Sequence, residues 1–210
     1  MIDEAAYGQY FSYLLAGNRA GCAAIVKGLL DGGCDIKELY THLFQRSLYK
    51  VGELWEYNRI SVAMEHLATA VTESLLHMAY PVIFSAEHTG EKAIISCVAN
   101  EYHQIGGKMV ADIFELNGWD GYFLGANTPV SDLLALIDEK KPRIVCLSLA
   151  IYFNINTLLD GIEQIQASYP GLEILAGGQA FRWGNTRVLE KYRNVTYIES
   201  VYLLEEIIRS

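Results

Sequence analysis

The chain has 210 residues, 51% apolar and 20% charged, with a formal net charge of −9. This composition is globular and excludes a disordered chain, and the length fits one large domain or two small ones. The charge divides almost evenly, −4 over residues 1–90 and −5 over residues 91–210. Neither half has the basic footprint of an autonomous nucleic-acid-binding domain, so direct binding of DNA or RNA is not expected.

The first 80 residues contain no proline. Apolar residues recur there at three- and four-residue steps, as in Leu39, Leu43, Phe44, Leu48, Val51, Leu54 and Trp55, which is the face of a helix. A second stripe runs through Val62, Leu67, Ala70, Val71, Leu75 and Met78. Gly17-Asn18, Gly32-Gly33 and Asn58 to Ile60 punctuate the pattern. Four helices are therefore predicted, over about 3–16, 19–31, 35–57 and 61–84, joined by short turns as in an antiparallel bundle.

Pro81 and the polar run from Ser85 to Gly90 close the helical region. Beyond them come five short apolar runs: Ala93 to Val98, Gly121 to Leu124, Ile144 to Leu149, Leu172 to Ala176 and Val195 to Ile198. Each is followed by an amphipathic stretch of helical length, which predicts a parallel sheet with helices on both faces. The expected fold class is α/β, a four-helix bundle over 1–88 followed by a flavodoxin- or Rossmann-like five-stranded parallel sheet over 89–210. In such a sheet, ligands sit beyond the carboxyl ends of the strands.

Cys22, Cys34, Cys97 and Cys146 lie far apart, without the two-residue spacing of zinc or redox motifs, and Cys97 and Cys146 read as buried free thiols. The N-terminus is acidic and shows no signal peptide, and no apolar run approaches the roughly 20 residues that span a bilayer. A cytoplasmic protein without a membrane partner is expected.

The first candidate site follows the first strand, in Glu101-Tyr102-His103-Gln104-Ile105-Gly106-Gly107. Its glycine spacing is not that of a dinucleotide or P-loop fingerprint, and Glu101 would repel phosphate. An exposed His is a good metal ligand, and a carboxylate two residues away can fix its tautomer. The same residues also fit a His103 that only caps the next helix while the glycines ease helix–sheet packing. Ser148 closes the third strand ahead of Leu149-Ala150, and Gly177-Gly178-Gln179 follows the fourth. Together these place a metal ligand, a hydroxyl and side-chain-free backbone at successive strand ends.

An acidic residue two before a His, Gly three after it, then Ser, then Gly-Gly resembles the cobalamin-binding signature of corrinoid proteins. Glu101 stands where that pattern usually has Asp, and Ala150 where it has a larger apolar residue. The resemblance covers roughly residues 5–205. It implies His103 as the lower cobalt ligand in place of the cofactor's own base, supported by Glu101 and flanked by Tyr102, Gln104, Ile105 and Gly106. Ser148, Ala150, Gly177, Gly178 and Gln179 would line the channel for the displaced nucleotide tail. The helical segment would be the cap over the upper face.

Within the bundle, Trp55 is followed after nine residues by Glu65-His66. Trp55 falls in the last turn of the third helix, and Ser61 is a suitable N-cap for the fourth. Taken alone, these residues also read as a core Trp, a Glu complementing a helix dipole and a satisfied polar His. The motif is similar to that of CarH/LitR-type light-sensing regulators, which bind adenosylcobalamin. There the Trp packs over the upper axial group, and the Glu and His help to hold the adenosyl moiety. Two departures stand out: those regulators begin with a winged-helix DNA-binding domain for which this chain has no room, and Glu56 occupies a place where they carry a cobalt-binding His. Control of transcription would then run through a protein partner, as in AerR-like antirepressors. The resemblance thus implies a sensor holding adenosylcobalamin. The alternative is a corrinoid methyl-carrier subunit with methylcobalamin and a methyltransferase partner; a third reading is cobalamin storage. Homo-oligomerisation is left open by the sequence.

Overall fold

A computed structural model describes residues 2–210. The chain falls into two compact units, Met1–Ile83 and Phe84–Ser210.

The first unit is helical. Helix α1 (Glu4–Leu15) starts at Asp3, whose side chain accepts the N–H of Ala6. Asn18 caps α2 (Arg19–Asp31) in the same way through the N–H of Gly21. The third helix runs without a break from α3 (Ile36–Glu38) through a π-helical stretch (Leu39–Gln45) into α4 (Arg46–Glu56). An ordinary α-helix was the expectation over 35–57. Leu39, Tyr40, Leu43 and Phe44 of this stretch are buried in the core, where Phe44 lies 6.0 Å from the Tyr40 ring and 6.1 Å from that of Tyr10. Helix α5 (Val62–Leu76) begins at Ser61, whose hydroxyl accepts the N–H of Met64. The single helix expected over 61–84 instead tightens into a 3₁₀ turn (His77–Ala79) and resumes as α6 (Tyr80–Ile83). Pro81 is the reason, because it has no N–H for the carbonyl four residues back and its ring crowds that carbonyl.

The second unit alternates strand and helix: β1 (Lys92–Cys97), α7 (Ile105–Leu116), β2 (Asp120–Phe123), α8 (Val130–Lys140), β3 (Ile144–Ser148), α9 (Ile155–Ser168), β4 (Glu173–Gly177), β5 (Val195–Ile198) and α10 (Val201–Ile208). All pairings are parallel, in the order β2-β1-β3-β4-β5, which is the flavodoxin-like order with helices covering both faces. Ile94, Val145, Leu147 and Ile174 of the sheet are sealed by Leu133 and Ile137 of α8 and by Leu158 and Ile162 of α9. The amphipathic stretch after β4 is the one that does not become an α-helix. It forms two 3₁₀ turns, Gln179–Arg182 and Thr186–Leu189. Gly184 and Asn185 interrupt it, and Asn185 starts the second turn by accepting the N–H of Arg187. All four cysteines are free, and Cys97 and Cys146 are buried. Among the described residues, no helix is long and apolar enough to cross a membrane.

Candidate functional site

The strand order reverses direction at β1, which has β2 on one side and β3 on the other. A doubly wound sheet opens its crevice at that point, beyond the carboxyl ends of the strands. Strand register lines up Cys97, Ser148, Gly177 and Ile198 as neighbours across β1, β3, β4 and β5. Ser148 and Gly177 are thus adjacent, one row below the loops that follow.

The loop after β1 carries Glu101 to Gln104. Asn100 begins it in left-handed backbone (φ 66), and Asn127 of the β2–α8 loop does the same (φ 52). The two loops are stitched together: Asn100 donates its N–H to Asn127 Oδ1 at 2.8 Å, and Asn127 donates its own to the Glu101 carbonyl at 2.8 Å.

Glu101 is wholly buried, whereas the His103 side chain is 55% exposed. Glu101 Oε1 lies 2.6 Å from His103 Nδ1 and accepts the His103 backbone N–H at 3.0 Å. Its other oxygen, Oε2, accepts the N–H groups of Ala150 and Ile151, each at 2.9 Å. Burial alone would raise this carboxyl's pKa. The hydrogen bonds from the His103 ring, then from the amides of His103, Ile151 and Ala150, outweigh it and hold the group down at about 2. An ionised carboxylate can only accept, so Nδ1 carries the proton and Nε2 is the ring nitrogen that can offer a lone pair to a metal.

The helix-capping role considered for His103 is not what the structure shows: Gln104 is the N-cap of α7, and no side-chain hydrogen bond caps that helix. The two glycines that follow have separate duties. A Cβ on Gly106 would meet nothing within 4 Å, whereas one on Gly107 would lie 3.0 Å from Phe123 Cε2, 3.5 Å from Cys97 Sγ and 3.6 Å from Ser148 Cβ. Gly107 therefore seats α7 on the strand ends, and Gly106 leaves open ground beside His103. Ile105 is buried at the helix start and Tyr102 is exposed. Burial, with Glu101's charge added, pushes the Cys97 thiol up to about 12, so it is not a thiolate ligand.

Gly177 and Gly178 have a reason inside the protein itself. A Cβ on Gly177 would stand 2.7 Å from the Ile198 carbonyl oxygen, and one on Gly178 (φ 123) would stand 2.2 Å from that of Leu149. Gln179 opens the first 3₁₀ turn after β4. Among the described residues, no three His, Cys, Asp or Glu side chains group into a metal cage.

In the first unit, Trp55 occupies the last turn of α4 and is 49% exposed, so it is not a core residue. Asn58, left-handed at φ 54, ends that helix. Tyr57 and Val62 are exposed beside the same turn. Glu65 accepts from the Thr69 hydroxyl at 3.0 Å, and His66 Nε2 lies 3.5 Å from Glu65 Oε2. Trp55 thus lies at the end of α4, and Glu65 and His66 near the start of α5, the next helix in the chain.

Sequence reasoning missed the amides of Ala150 and Ile151 as Glu101's partners, since backbone donors leave no mark in side-chain identity. It also missed the left-handed pair Asn100 and Asn127, although Gly-Ala-Asn-Thr-Pro after the second strand was a visible turn signal.

Comparison with known proteins agrees with this geometry. A family model described as a B12 binding domain matches residues 91–208, and a second B12 binding domain model matches residues 7–80. The chain is 34% identical over 91 residues to the HTH-type transcriptional repressor CarA of Myxococcus xanthus, covering 43% of this chain and 31% of that protein. To the repressor CarH of the same organism it is 29% identical over 140 residues, covering 64% of this chain and 45% of that protein. The chain thus spans less than half the length of either. Among solved structures, the monomethylamine corrinoid protein of Methanosarcina barkeri shares the fold, with a TM-score of 0.84 over 97% of both chains at 14% identity. With a family model covering more than half of its residues and a buried carboxylate orienting an exposed imidazole at the mouth of the sheet, the chain belongs to the B12-binding-domain family and is a cobalamin-binding protein.

Proposed function

We propose that this chain holds adenosylcobalamin with the cofactor's own base displaced and His103 on cobalt, and that it works as a light-responsive sensor acting through a protein partner. The observation that carries the binding mode is the Glu101–His103 pair. Glu101 keeps the proton on Nδ1 and the ring in one orientation, so Nε2 is prepared as a donor before any metal arrives. Tyr102, Gln104, Ile105 and the open ground at Gly106 flank the lower face. Ser148, Ala150, Gly177, Gly178 and Gln179 take the nucleotide tail beside the adjacent ends of β3 and β4. When bound, adenosylcobalamin supplies a cobalt–carbon bond that visible light can break.

The sensor half of the proposal is supported by Trp55, Glu65 and His66, and by the 34% identity to a transcriptional repressor. Trp55 offers an exposed aromatic face, and Glu65 with His66 offers an acceptor and a donor suited to an adenosyl group. The alternative is a methyl-carrier subunit bearing methylcobalamin. The whole-length likeness to a corrinoid protein favours it, although at 14% identity that likeness speaks for the fold. Absorption spectra of the adenosylcobalamin-loaded protein before and after green light separate the two. The sensor reading expects photolysis with a change in assembly or partner binding. A photostable complex that exchanges methyl groups with a methyltransferase overturns it in favour of the carrier.

A further inference from the structure

The two edges of the sheet are finished differently. At β2, the N–H of Asp120 donates to the Glu91 carbonyl and that of Leu124 to the Ile95 carbonyl, so the backbone of Gly121 and Phe123 faces outward. There Glu115 of α7 reaches across, and its Oε1 accepts the Gly121 N–H at 2.8 Å. A carboxylate laid on an edge strand guards it against pairing with another chain.

β5 has no such guard. The N–H of Ile174 donates to the Asn194 carbonyl. The parallel register from Ile174↔Val195 to Gly177↔Ile198 then turns the backbone of Thr196 towards β4 and that of Val195 and Tyr197 away from it. Among the described residues, no group takes the outward N–H of Val195 or Tyr197. The strand reads Val-Thr-Tyr-Ile, without charge, Gly or Pro, a composition that favours strand pairing. It is held in place from one side: Val195 and Tyr197 pack on the core, and the Tyr197 ring lies 5.2 Å from that of Phe181. Thr196 points to the opposite face and is exposed.

We propose that the β5 edge is a homodimer interface, to which β5 of a second copy adds antiparallel about a two-fold axis through Thr196. The occupant follows from the strand being complementary to itself. In that register Val195 stands opposite Tyr197 of the second copy, and each exchanges N–H and C=O with the other, about four hydrogen bonds in all. Thr196 meets its own counterpart on the axis, a favourable cross-strand pair. Just beyond the strand, Arg193 at one end comes opposite Glu199 at the other, so unlike charges close both ends of the ladder. Both residues are exposed, and neither forms an ion pair among the described residues. The ladder is short, so the dimer is weak and follows concentration. The pairing is independent of what occupies the cofactor site.

The test is sedimentation of the full chain in the dark, loaded with hydroxocobalamin, over an about hundredfold range of concentration. Wild type should pass from monomer to a species of doubled mass. Thr196→Lys sets two ammonium groups face to face on the axis from an exposed position, so the variant should fold and its dimer should weaken by roughly tenfold or more. Arg193→Glu should weaken the dimer comparably, and adding Glu199→Arg should restore it, because the reversed charges again meet as opposites. Circular dichroism checks that each variant is folded, and if Thr196→Lys is not, the charge reversals carry the test. A wild type that stays monomeric throughout overturns the proposal. A dimer that survives Thr196→Lys unchanged overturns it too, since the contact would then lie elsewhere. A double variant as weak as Arg193→Glu alone contradicts the antiparallel register.

Discussion

Glu101 Oε1 stands 2.6 Å from His103 Nδ1, a fully buried carboxylate against a half-exposed imidazole. That contact fixes which ring nitrogen faces outward, and it follows from a charge kept inside the protein by four hydrogen bonds. Replacing Glu101 with Gln keeps the shape but turns one acceptor into a donor, so amides of Ala150 and Ile151 or the His103 ring must lose a partner. We expect Glu101→Gln to cost about 1–3 kcal/mol of stability. Cobalamin affinity should fall by about 10–100-fold. Urea unfolding and a binding titration measure the two effects.

The same carboxylate sets a pH dependence. Its pKa is lowered from 4.5 to about 2 in the folded protein. A lowered carboxyl pKa gives stability that is fully present above the unfolded value and is lost as pH falls through the folded one. The stability difference between wild type and Glu101→Gln should therefore be constant above about pH 4.5 and shrink steadily towards pH 2. Urea midpoints of both proteins across that range provide the check, and a difference that grows on acidification would contradict it.

The glycines at the strand ends separate folding from binding. Gly107→Ala places a Cβ 3.0 Å from Phe123 Cε2 and should destabilise by about 1–3 kcal/mol. Gly106→Ala meets nothing within 4 Å, so the fold should be unharmed or stabilised by about 0.5–1 kcal/mol, while cobalamin affinity drops. Gly178→Ala, at φ 123 and 2.2 Å from a carbonyl oxygen, should prevent native folding of the second unit. Thermal unfolding with cobalamin titration resolves all three.

At the end of α4, Trp55 is half exposed, so Trp55→Ala should cost about 1 kcal/mol or less. It should weaken adenosylcobalamin selectively relative to hydroxocobalamin, as paired titrations would show. Equal losses for both forms would mean that Trp55 does not meet the upper ligand.

The fold was legible where patterning is periodic. The strands at Ile144 and Val195 and the cap at Ser61 follow directly from apolar runs and a hydroxyl in the right place. Deviations came where local chemistry competes with periodicity: the 3₁₀ turn before Pro81, and Gly184-Asn185 breaking the stretch after β4. The π-helical winding at Leu39–Gln45 left no sequence cue, because its buried residues also fit an ordinary helix face. Around the site, side-chain partners such as Glu101 and His103 could be read from spacing. The amides of Ala150 and Ile151, 49 and 50 residues away, could not. Nor could the clash with the Ile198 carbonyl that requires Gly177, since it depends on strand order.

The central claim is that His103 ligates cobalt, and the most direct measurement is electron paramagnetic resonance of the cob(II)alamin form bound to protein labelled with ¹⁵N-histidine. A nitrogen from His103 should turn the cobalt superhyperfine triplet of unlabelled protein into a doublet, and His103→Ala should lose that doublet while remaining folded. A triplet that persists in the labelled protein would show the cofactor's own base on cobalt and contradict the account.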